Sequence, residues 1–323
     1  MRFTNRLLSV TGGVAAALSK NDHLKGRAGF YKGLERFTKD RDVWKATDEN
    51  ARPVVIKGAP PHLLSIERDV LEVVQGHTSI RQKVDNIEDP PSLVLEYLDD
   101  NLLDVCCQQR LEGTDVKLVA RTILEALAAL HDNGFVHTDV KPDNVLINYG
   151  KEGTRFSRVA LRDCGDVYRF NPNANPLEEG HAISAAIFRS PEAQLNLRWG
   201  PPTDIWSLGA TLISLIFGDW HICSPADIDF DDEAYGFWVL VEQIRRFGPF
   251  NDSFKEIADY ERLEVCMAAI VHIDEYEKWL PFRMSKDVEL ARPDRDFISK
   301  MMRLDPRLRP TAKELLQDPW FIS

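Results

Sequence analysis

The segment from His137 to Asn144 carries the residues of this chain that are best suited to chemistry. It places a carboxylate at Asp139, an amine at Lys141 and an amide at Asn144, directly after a strongly helical run. Transfer of a phosphoryl group uses such a trio, because a carboxylate orients the attacking hydroxyl, a cation offsets charge on the moving group, and an amide oxygen binds Mg²⁺. The alternative interpretation is a polar loop that merely follows a helix.

Length, charge and cysteine content narrow the class of protein. The chain has 323 residues, enough for one large or two modest domains, and 44% of them are hydrophobic. The net charge of −11 argues against a general affinity for nucleic acid or anionic lipid, and no apolar run reaches the length of a membrane span. The five cysteines are odd in number and contain no CxxC pair, so they predict reduced thiols.

The first 30 residues differ in composition from the rest of the chain. Met1 to Lys20 holds three basic residues, several Ser and Thr, and no acidic residue. This composition resembles an organelle transit peptide, whereas Leu7–Leu18 loosely resembles a secretory signal, which free cysteines disfavour. We therefore expect residues 1–30 to form a basic leader that is either disordered or used for targeting.

Hydrophobic patterning divides the remainder into a β-rich part and a helix-rich part. One helical piece, Leu63–Val74, lies among short β-rich runs: Asp42–Thr47, Pro53–Lys57 and Ser92–Tyr97. Apolar residues then recur every three or four positions from Val116 to Leu130, which predicts an amphipathic helix that Thr114 caps and Gly134 ends.

Three further patterns lie in the helix-rich part. Ile205–Phe217 is apolar nearly all round, which predicts a buried helix. The turn at 150–153 separates two β-rich runs and predicts a hairpin. Thr311 and Glu314 have the spacing of a capping box.

Several motifs resemble those of eukaryotic-type protein kinases, over about residues 34–321. Val54–Lys57 resembles the strand with the phosphate-pairing lysine, and Glu67 resembles its helix partner. His137–Asn144 resembles the catalytic loop, and Asp163-Cys164-Gly165 stands where the family has Asp-Phe-Gly. Three matches complete the set: Ser190-Pro191-Glu192, Asp204–Gly209 and Arg309. Within this family, Thr138 and Arg189 look most like residues of the branch that contains the cyclin-dependent and SR-protein kinases.

This resemblance implies a fold and an activity. The fold would be α+β and protein-kinase-like, with a small β-rich N-lobe at 31–98 and a larger α-helical C-lobe at 99–323. The activity would be that of a serine/threonine kinase that transfers the γ-phosphoryl of MgATP to a protein substrate. The alternatives are a pseudokinase scaffold and a small-molecule kinase, and Lys141-Pro142 and Arg309 disfavour the latter.

The resemblance also implies a role for each site residue. Asp139 would orient the substrate hydroxyl, and Lys141 would offset charge on the phosphoryl group. Asn144 and Asp163 would bind Mg²⁺ through oxygen atoms. Lys57 would hold the α and β phosphates and would be positioned by Glu67. The adenine would contact the following residues: Val43, Val55, Glu96, Leu98 and Leu146.

Four departures from the family pattern stand in this site. The glycine positions of the phosphate-covering loop fall on Arg36, Thr38 and Arg41, so side chains replace the glycines that let a backbone approach phosphates. Ala185 stands where the family has a threonine, so we expect the hydroxyl beside Asp139 to be absent. Cys164 is either a reactive thiol or, as its apolar character favours, a packed small residue. Thr138 replaces the arginine that receives an activation-loop phosphate.

The remaining predictions concern stability, partners and location. Glu192 and Arg309 should form a buried ion pair. The acidic run from Asp227 to Glu233 is either an exposed loop or a docking site for basic peptides. The substrate protein would then be basic, and no nucleic acid partner is expected. The composition favours a cytoplasmic or nuclear location, with the mitochondrion as the alternative that the leader suggests, and leaves the oligomeric state open.

Overall fold

The chain divides into two compact units, which are described separately. The computed structural model describes residues 23–37, 42–171, 183–218, 220–286 and 290–322. Unit 1 comprises the described residues up to Asp99 together with Arg162–Val167. Unit 2 comprises Asp100–Leu161 and the described residues from Tyr168 onward.

Unit 1 is built on six antiparallel strands in the order β1-β2-β3-β4-β6-β5. The bounds are β1 His23–Lys25, β2 Phe30–Arg36, β3 Val43–Asp48, β4 Pro53–Gly58, β5 Lys83–Ile87 and β6 Ser92–Glu96. Side chains alternate between the two faces of a strand, and in β3 this alternation buries Trp44 and Ala46 while Val43 and Lys45 lie on the other face. The buried face forms one core with Tyr31, Ile56 and Val94.

The two outer strands of this sheet meet each other. Gly26, directly after β1, forms a bridge with Ile87 of β5, and the Arg27 N–H donates to the Asn86 carbonyl at 3.1 Å. A glycine is required at position 26, because a Cβ atom there would collide with the Asp85 carboxylate. The sheet is therefore curled until its first and last strands touch.

One α-helix lies among the described residues of unit 1. Helix α1, Pro61–Val73, begins with a proline at its first helical position, where no N–H is needed for the helix. It turns Leu64, Glu67, Val70 and Leu71 inward. It packs on the short 3₁₀ turn Cys164–Asp166, which explains why Arg162–Val167 belongs to this unit although it follows much of unit 2 in sequence.

Unit 2 is mainly helical. Its helices are α2 Leu102–Gln108, α3 Thr114–Asp132, α4 Pro191–Gln194, α5 Pro201–Phe217, α6 Tyr235–Phe247, α7 Tyr260–Tyr276, α8 Arg292–Met301 and α9 Ala312–Leu316. Helix α5 is buried from Thr203 to Leu215, and Gly218 ends it in the left-handed conformation at φ 75°. Because its apolar residues surround the whole axis, this helix can only lie inside the unit. The predicted buried helix is confirmed.

Short strands of unit 2 support the loops that carry polar residues. They are β7 Asp100–Asn101, β8 Phe135–Val136, β9 Val145–Tyr149, β10 Phe156–Leu161 and β11 Tyr168–Arg169. Strands β9 and β10 form the predicted antiparallel hairpin, and β7 pairs with the other edge of β9. Strand β8 ends directly before His137, so the catalytic loop lies between two strands.

A buried ion pair joins α4 to the C-terminal part of unit 2. Arg309 Nη1 and Nη2 each donate to one oxygen of Glu192 at 2.7 Å. The two side chains are 0% and 1% exposed. Arg309 also donates to the carbonyls of Pro202, Arg303 and Leu304, so its guanidinium is well satisfied. The ion pair predicted from the sequence is confirmed.

Some boundaries differ from the sequence predictions. Residues 23–30 belong to the sheet rather than to the predicted leader 1–30, whose residues 1–22 lie outside the described part. The N-cap of α3 is Gly113 without a side-chain hydrogen bond, because the helix already begins at Thr114, so the predicted cap is wrong. Gly134 follows the helix end at φ 74°, as expected of a terminating glycine, and the capping box of Thr311 and Glu314 is present.

The Glu192–Arg309 pair generates a test of stability. Arg309→Ala leaves a buried carboxylate without its cation, so we expect it to lower the free energy of unfolding by about 3–5 kcal/mol. The control is Lys313→Ala, which breaks the exposed 2.7 Å pair with Asp132 and should cost less than about 1 kcal/mol. Urea titrations of both variants measure the difference, and similar losses in the two would contradict the assignment.

Candidate active site

Three charged side chains of unit 1 form one cluster. Lys57 lies near the end of β4, and its Nζ is 2.7 Å from Glu67 Oε2 and 2.7 Å from Asp163 Oδ1. Helix α1 supplies Glu67, whose side chain is only 3% exposed. Only ten residues separate Lys57 from Glu67 in sequence, yet the short helix still delivers the carboxylate to the amine. The predicted pair is therefore formed, and Asp163 joins it.

The cluster determines the charge of its lysine. Burial lowers the pKa of the Lys57 ammonium, but the charges of Glu67 and Asp163 and their hydrogen bonds more than offset this effect. The pKa of Lys57 is therefore raised above its ordinary value. An amine that stays charged at neutral pH is suited to binding an anion such as a phosphate.

Asp163 has a strained backbone. Its φ of 67° lies in the left-handed region, which non-glycine residues seldom occupy, although Asp does so more often than most. The next residues form the 3₁₀ turn that packs on α1, which holds the carboxylate toward Lys57. Cys164 is 1% exposed, and burial, followed by the charges of Glu67 and Asp163, raises the pKa of its thiol. Cys164 is thus a packed residue rather than a reactive thiol.

Unit 2 carries the second polar cluster, in the catalytic loop. Asp139 Oδ2 accepts a hydrogen bond from Asn144 Nδ2 at 2.8 Å and lies 3.0 Å from Lys141 Nζ. Asn144 Nδ2 also donates to the Asp139 carbonyl at 2.8 Å. Both of these hydrogen bonds are donated by the amide nitrogen, and Oδ1 is the atom of the Asn144 amide that is chemically able to bind a metal ion. The three residues that the sequence placed in one segment are brought together.

A buried carboxylate from α5 fixes the start of this loop. The backbone N–H groups of His137 and Thr138 donate to the two oxygens of Asp204, each at 2.8 Å. Asp204 Oδ2 also lies 2.9 Å from His131 Nε2. His137 is fully buried. Thr138 has a φ of 68°, an uncommon conformation for a β-branched residue, and the Asp204 contacts hold it there.

Ser184 is a site residue that the motif reading missed. Its Oγ donates to Asp139 Oδ1 at 3.1 Å. The family's bridging hydroxyl is absent at Ala185, as expected, but the residue before Ala185 supplies a different hydroxyl to Asp139. Motif reading compares one position at a time and does not detect a hydroxyl displaced by one residue. The signal available in the sequence was the Ser-Ala pair itself, since a turn in the backbone can bring either side chain to one place.

The predicted adenine-contacting residues are placed in their units as follows. In the sheet, Val43 lies opposite Lys57, and Val55 pairs with Leu95. Leu98 lies at 6% exposure shortly after β6 ends at Glu96. Leu146 belongs to β9 of unit 2 and is likewise 6% exposed.

A buried arginine contacts the backbone of Glu96, one of the residues predicted to contact the adenine. Arg81 Nε donates to the Glu96 carbonyl at 2.8 Å, and the residue is 7% exposed. Burial and the nearby charge of Arg162 lower the pKa of the Arg81 guanidinium to about 10. Sequence reasoning missed this residue, because its position after α1 offers no motif. A buried cation therefore hydrogen-bonds the Glu96 carbonyl, which belongs to a residue that the resemblance assigns to the adenine.

The phosphate-covering loop is only partly described. Strand β2 ends at Arg36, and the Phe37 N–H donates to the Val43 carbonyl at 2.9 Å, so β2 and β3 form a hairpin. Arg36 Nη2 lies 3.9 Å from Asp42 Oδ1, an ion pair within the hairpin. Thr38 and Arg41 lie outside the described residues.

Comparison with known proteins identifies the family. The family model for the protein kinase domain matches residues 30–321 of this chain. The chain therefore belongs to the protein kinase family, whose members transfer a phosphoryl group from a nucleotide to a protein. The predicted α+β fold is confirmed, with a curled antiparallel sheet in one unit and helices in the other. Among the described residues, every helix is too short or too polar to cross a membrane.

The raised pKa of Lys57 generates a test at alkaline pH. The charged amine contributes stability that is complete below its ordinary pKa of 10.5 and is lost as the pH rises through the higher folded-state value. We expect the difference in unfolding free energy between the wild type and Lys57→Met to stay constant below about pH 10 and to shrink at higher pH. Urea titrations at each pH measure this difference.

A control separates this effect from general alkaline unfolding. Lys32→Met removes an exposed lysine from β2 of the same sheet, and its difference from the wild type should stay small throughout. A Lys57→Met difference that already disappears near pH 8–9, about one unit or more below the ordinary lysine pKa, would contradict the cluster.

Proposed function

We propose that this chain is an active protein kinase that transfers the γ-phosphoryl group of MgATP to serine or threonine hydroxyls of a protein. The observation that carries the proposal is that the polar side chains form one cluster in each unit. Lys57 is paired with Glu67 and Asp163 in unit 1. Asp139 is held by Asn144 and Lys141 in unit 2. Both clusters would act on the same nucleotide.

The chemistry assigns a task to each side chain of unit 2. Asp139 accepts the hydrogen bond of the incoming hydroxyl and takes its proton as the oxygen attacks the γ-phosphorus. The new oxygen–phosphorus bond forms as the bond to the bridging oxygen breaks, and ADP leaves. Lys141, 3.0 Å from Asp139, offsets the negative charge of the moving group. The hydrogen bonds of Asn144 keep the Asp139 carboxylate in one orientation.

The donor set fits Mg²⁺ and a triphosphate. Asn144 Oδ1 and the Asp163 carboxylate are hard oxygen ligands, which Mg²⁺ prefers when phosphate oxygens and water complete its shell. When bound, Mg²⁺ would neutralise charge on the β and γ phosphates. Lys57, whose pKa is raised by its carboxylates, would pair with the α and β phosphates. The backbone at Glu96 and Leu98 and the side chains of Val43, Val55 and Leu146 are the groups that would contact the adenine.

Resemblance supports the finer assignment of the acceptor. Thr138 and Arg189 look like residues of the cyclin-dependent and SR-protein kinase branch, which acts on serine and threonine. The acidic residues from Asp227 to Glu233 lie on an exposed loop, together with Phe230 at 73% exposure. A basic docking peptide at this loop stays a prediction.

A pseudokinase scaffold is the second candidate, and specific residues favour it. Arg36 occupies a glycine position of the phosphate-covering loop and pairs with Asp42. Arg81 places a buried cation against the Glu96 carbonyl. Both side chains could weaken nucleotide binding without changing the fold. Binding of MgATP without transfer would favour this candidate.

Substitution of Asp139 tests the proposed activity. We expect Asp139→Asn to lower phosphoryl transfer by about 100-fold or more, because the amide cannot accept the proton. MgATP should still raise the thermal unfolding midpoint of this variant, since Asp139 contacts the acceptor rather than the nucleotide. Radiolabel transfer to a mixed peptide library, followed by phosphoamino-acid analysis, measures the rate and identifies the acceptor.

The control for this test is Asp132→Asn, which makes the same change at the exposed end of α3. Its rate should equal that of the wild type. Undiminished label incorporation by purified Asp139→Asn would sink the assignment. A wild-type chain that binds MgATP but transfers nothing would select the scaffold instead.

Thr138 generates a separate test of regulation. The side chain at this position is a buried hydroxyl rather than an arginine, so it offers no cation to an activation-loop phosphate. We expect phosphatase-treated chain to retain within about 2-fold the activity of untreated chain, because the usual charge-assisted docking of that phosphate is missing here. Recovery of lost activity upon rephosphorylation of the loop would show the opposite.

A further inference from the structure

Ser184 contacts one oxygen of the Asp139 carboxylate, and the other residues of the cluster contact the other oxygen. Asn144 and Lys141 both contact Oδ2, whereas the Ser184 hydroxyl donates to Oδ1 at 3.1 Å. An ionised carboxylate accepts through both oxygens, so contacts on the two sides fix its rotation more firmly than contacts on one side. Ser184 therefore bears directly on the orientation of Asp139.

The backbone presents the Ser184 hydroxyl in an unusual conformation. Ser184 has a φ of 54°, in the left-handed region, while the next residue, Ala185, is extended at φ −68°. In this conformation the side chain of Ser184 reaches Asp139. A side chain in this region is sustained only where surrounding contacts hold it.

Arg189 supplies those contacts. Its Nε donates to the Ile183 carbonyl at 2.6 Å, and its Nη2 donates to the Ser184 carbonyl at 2.9 Å. Gln243 of α6 in turn donates to the Arg189 carbonyl at 2.7 Å. Burial lowers the pKa of the Arg189 guanidinium, in keeping with a side chain that is enclosed by the unit. The Ser184 conformation is thus braced from the interior of unit 2.

We propose that Ser184 is a positioning residue for Asp139, and that its hydroxyl replaces the one that is missing at Ala185. This inference rests on the proposed function, since it concerns the same transfer reaction. The hydroxyl holds Asp139 Oδ1 so that the carboxylate meets the acceptor hydroxyl in one orientation. The phosphoryl-transfer step itself, and not nucleotide binding, depends on it.

Two substitutions remove the hydroxyl in different ways. Ser184→Ala keeps a side chain, whereas Ser184→Gly also relieves the left-handed backbone, so the second variant guards against a folding defect in the first. We expect both to lower kcat by about 10-fold, the effect of losing a hydrogen bond to a charged group. The KM for MgATP should stay within about 2-fold, since the nucleotide does not contact Ser184.

A relocated hydroxyl separates the chemical role from a structural one. The double variant Ser184→Ala, Ala185→Thr places a hydroxyl one residue later, where related kinases carry it, and should recover most of the lost kcat. The matched control is Ser157→Ala, which removes a hydroxyl that contacts only the carbonyls of Asn148 and Tyr149. Its kcat should equal that of the wild type.

Several outcomes would overturn the role of Ser184. Full activity of both single variants beside an active wild type would remove this inference and leave the kinase assignment intact. If the double variant were as slow as Ser184→Ala, the loss of kcat would be due to a changed conformation of the segment and not to the missing hydroxyl. Phosphate mapped at high occupancy on Ser184 of the active wild type would make the hydroxyl an acceptor instead. An inactive wild type would overturn the proposed function and this role together.

Discussion

The buried carboxylate of Asp204 is the contact on which the geometry of the catalytic loop depends. Asp204 is fully buried, and it accepts hydrogen bonds from two successive backbone N–H groups, those of His137 and Thr138. Hydrogen bonds to a charged group contribute about 1.5–3 kcal/mol each. They hold Thr138 in a strained conformation directly before Asp139. Without them, neither the direction of the Asp139 side chain nor its contacts with Lys141 and Asn144 would be determined.

Three of the seven described non-glycine residues with positive φ bear on this chemistry. Thr138, Asp163 and Ser184 all have positive φ values, and each is at or next to a side chain of the two clusters. Such conformations cost on the order of 1–3 kcal/mol each, and persist only where neighbouring contacts determine them. A different contact supports each of them. Asp204 holds Thr138, and Arg189 holds Ser184. Asp163 is held by the packing of its turn on α1. These contacts therefore determine the positions of side chains in both clusters.

The sequence predicted those parts of the site that lie in short segments or form pairs with distinctive residue types. Asp139, Lys141 and Asn144 are adjacent in the chain, so spacing alone indicated one cluster. The Glu192–Arg309 pair was predicted because both residues resemble members of family motifs that pair with each other. Ser184 was missed because its contact depends on a backbone φ, and Arg81 because its partner is a backbone carbonyl. Strand β1 was missed because three residues are too few for a periodic pattern.

The meeting of β1 and β5 limits how another protein can recognise unit 1. Sheets usually present the N–H and C=O groups of their outer strands, and an extended peptide can join a sheet by strand addition there. In this unit the bridge from Gly26 to Ile87 uses groups of both outer strands for each other. A protein that regulates unit 1 would therefore find no continuous strand edge where β1 and β5 meet. It would instead have to recognise side chains, for instance those of the exposed Arg27–Glu88 pair beside this bridge.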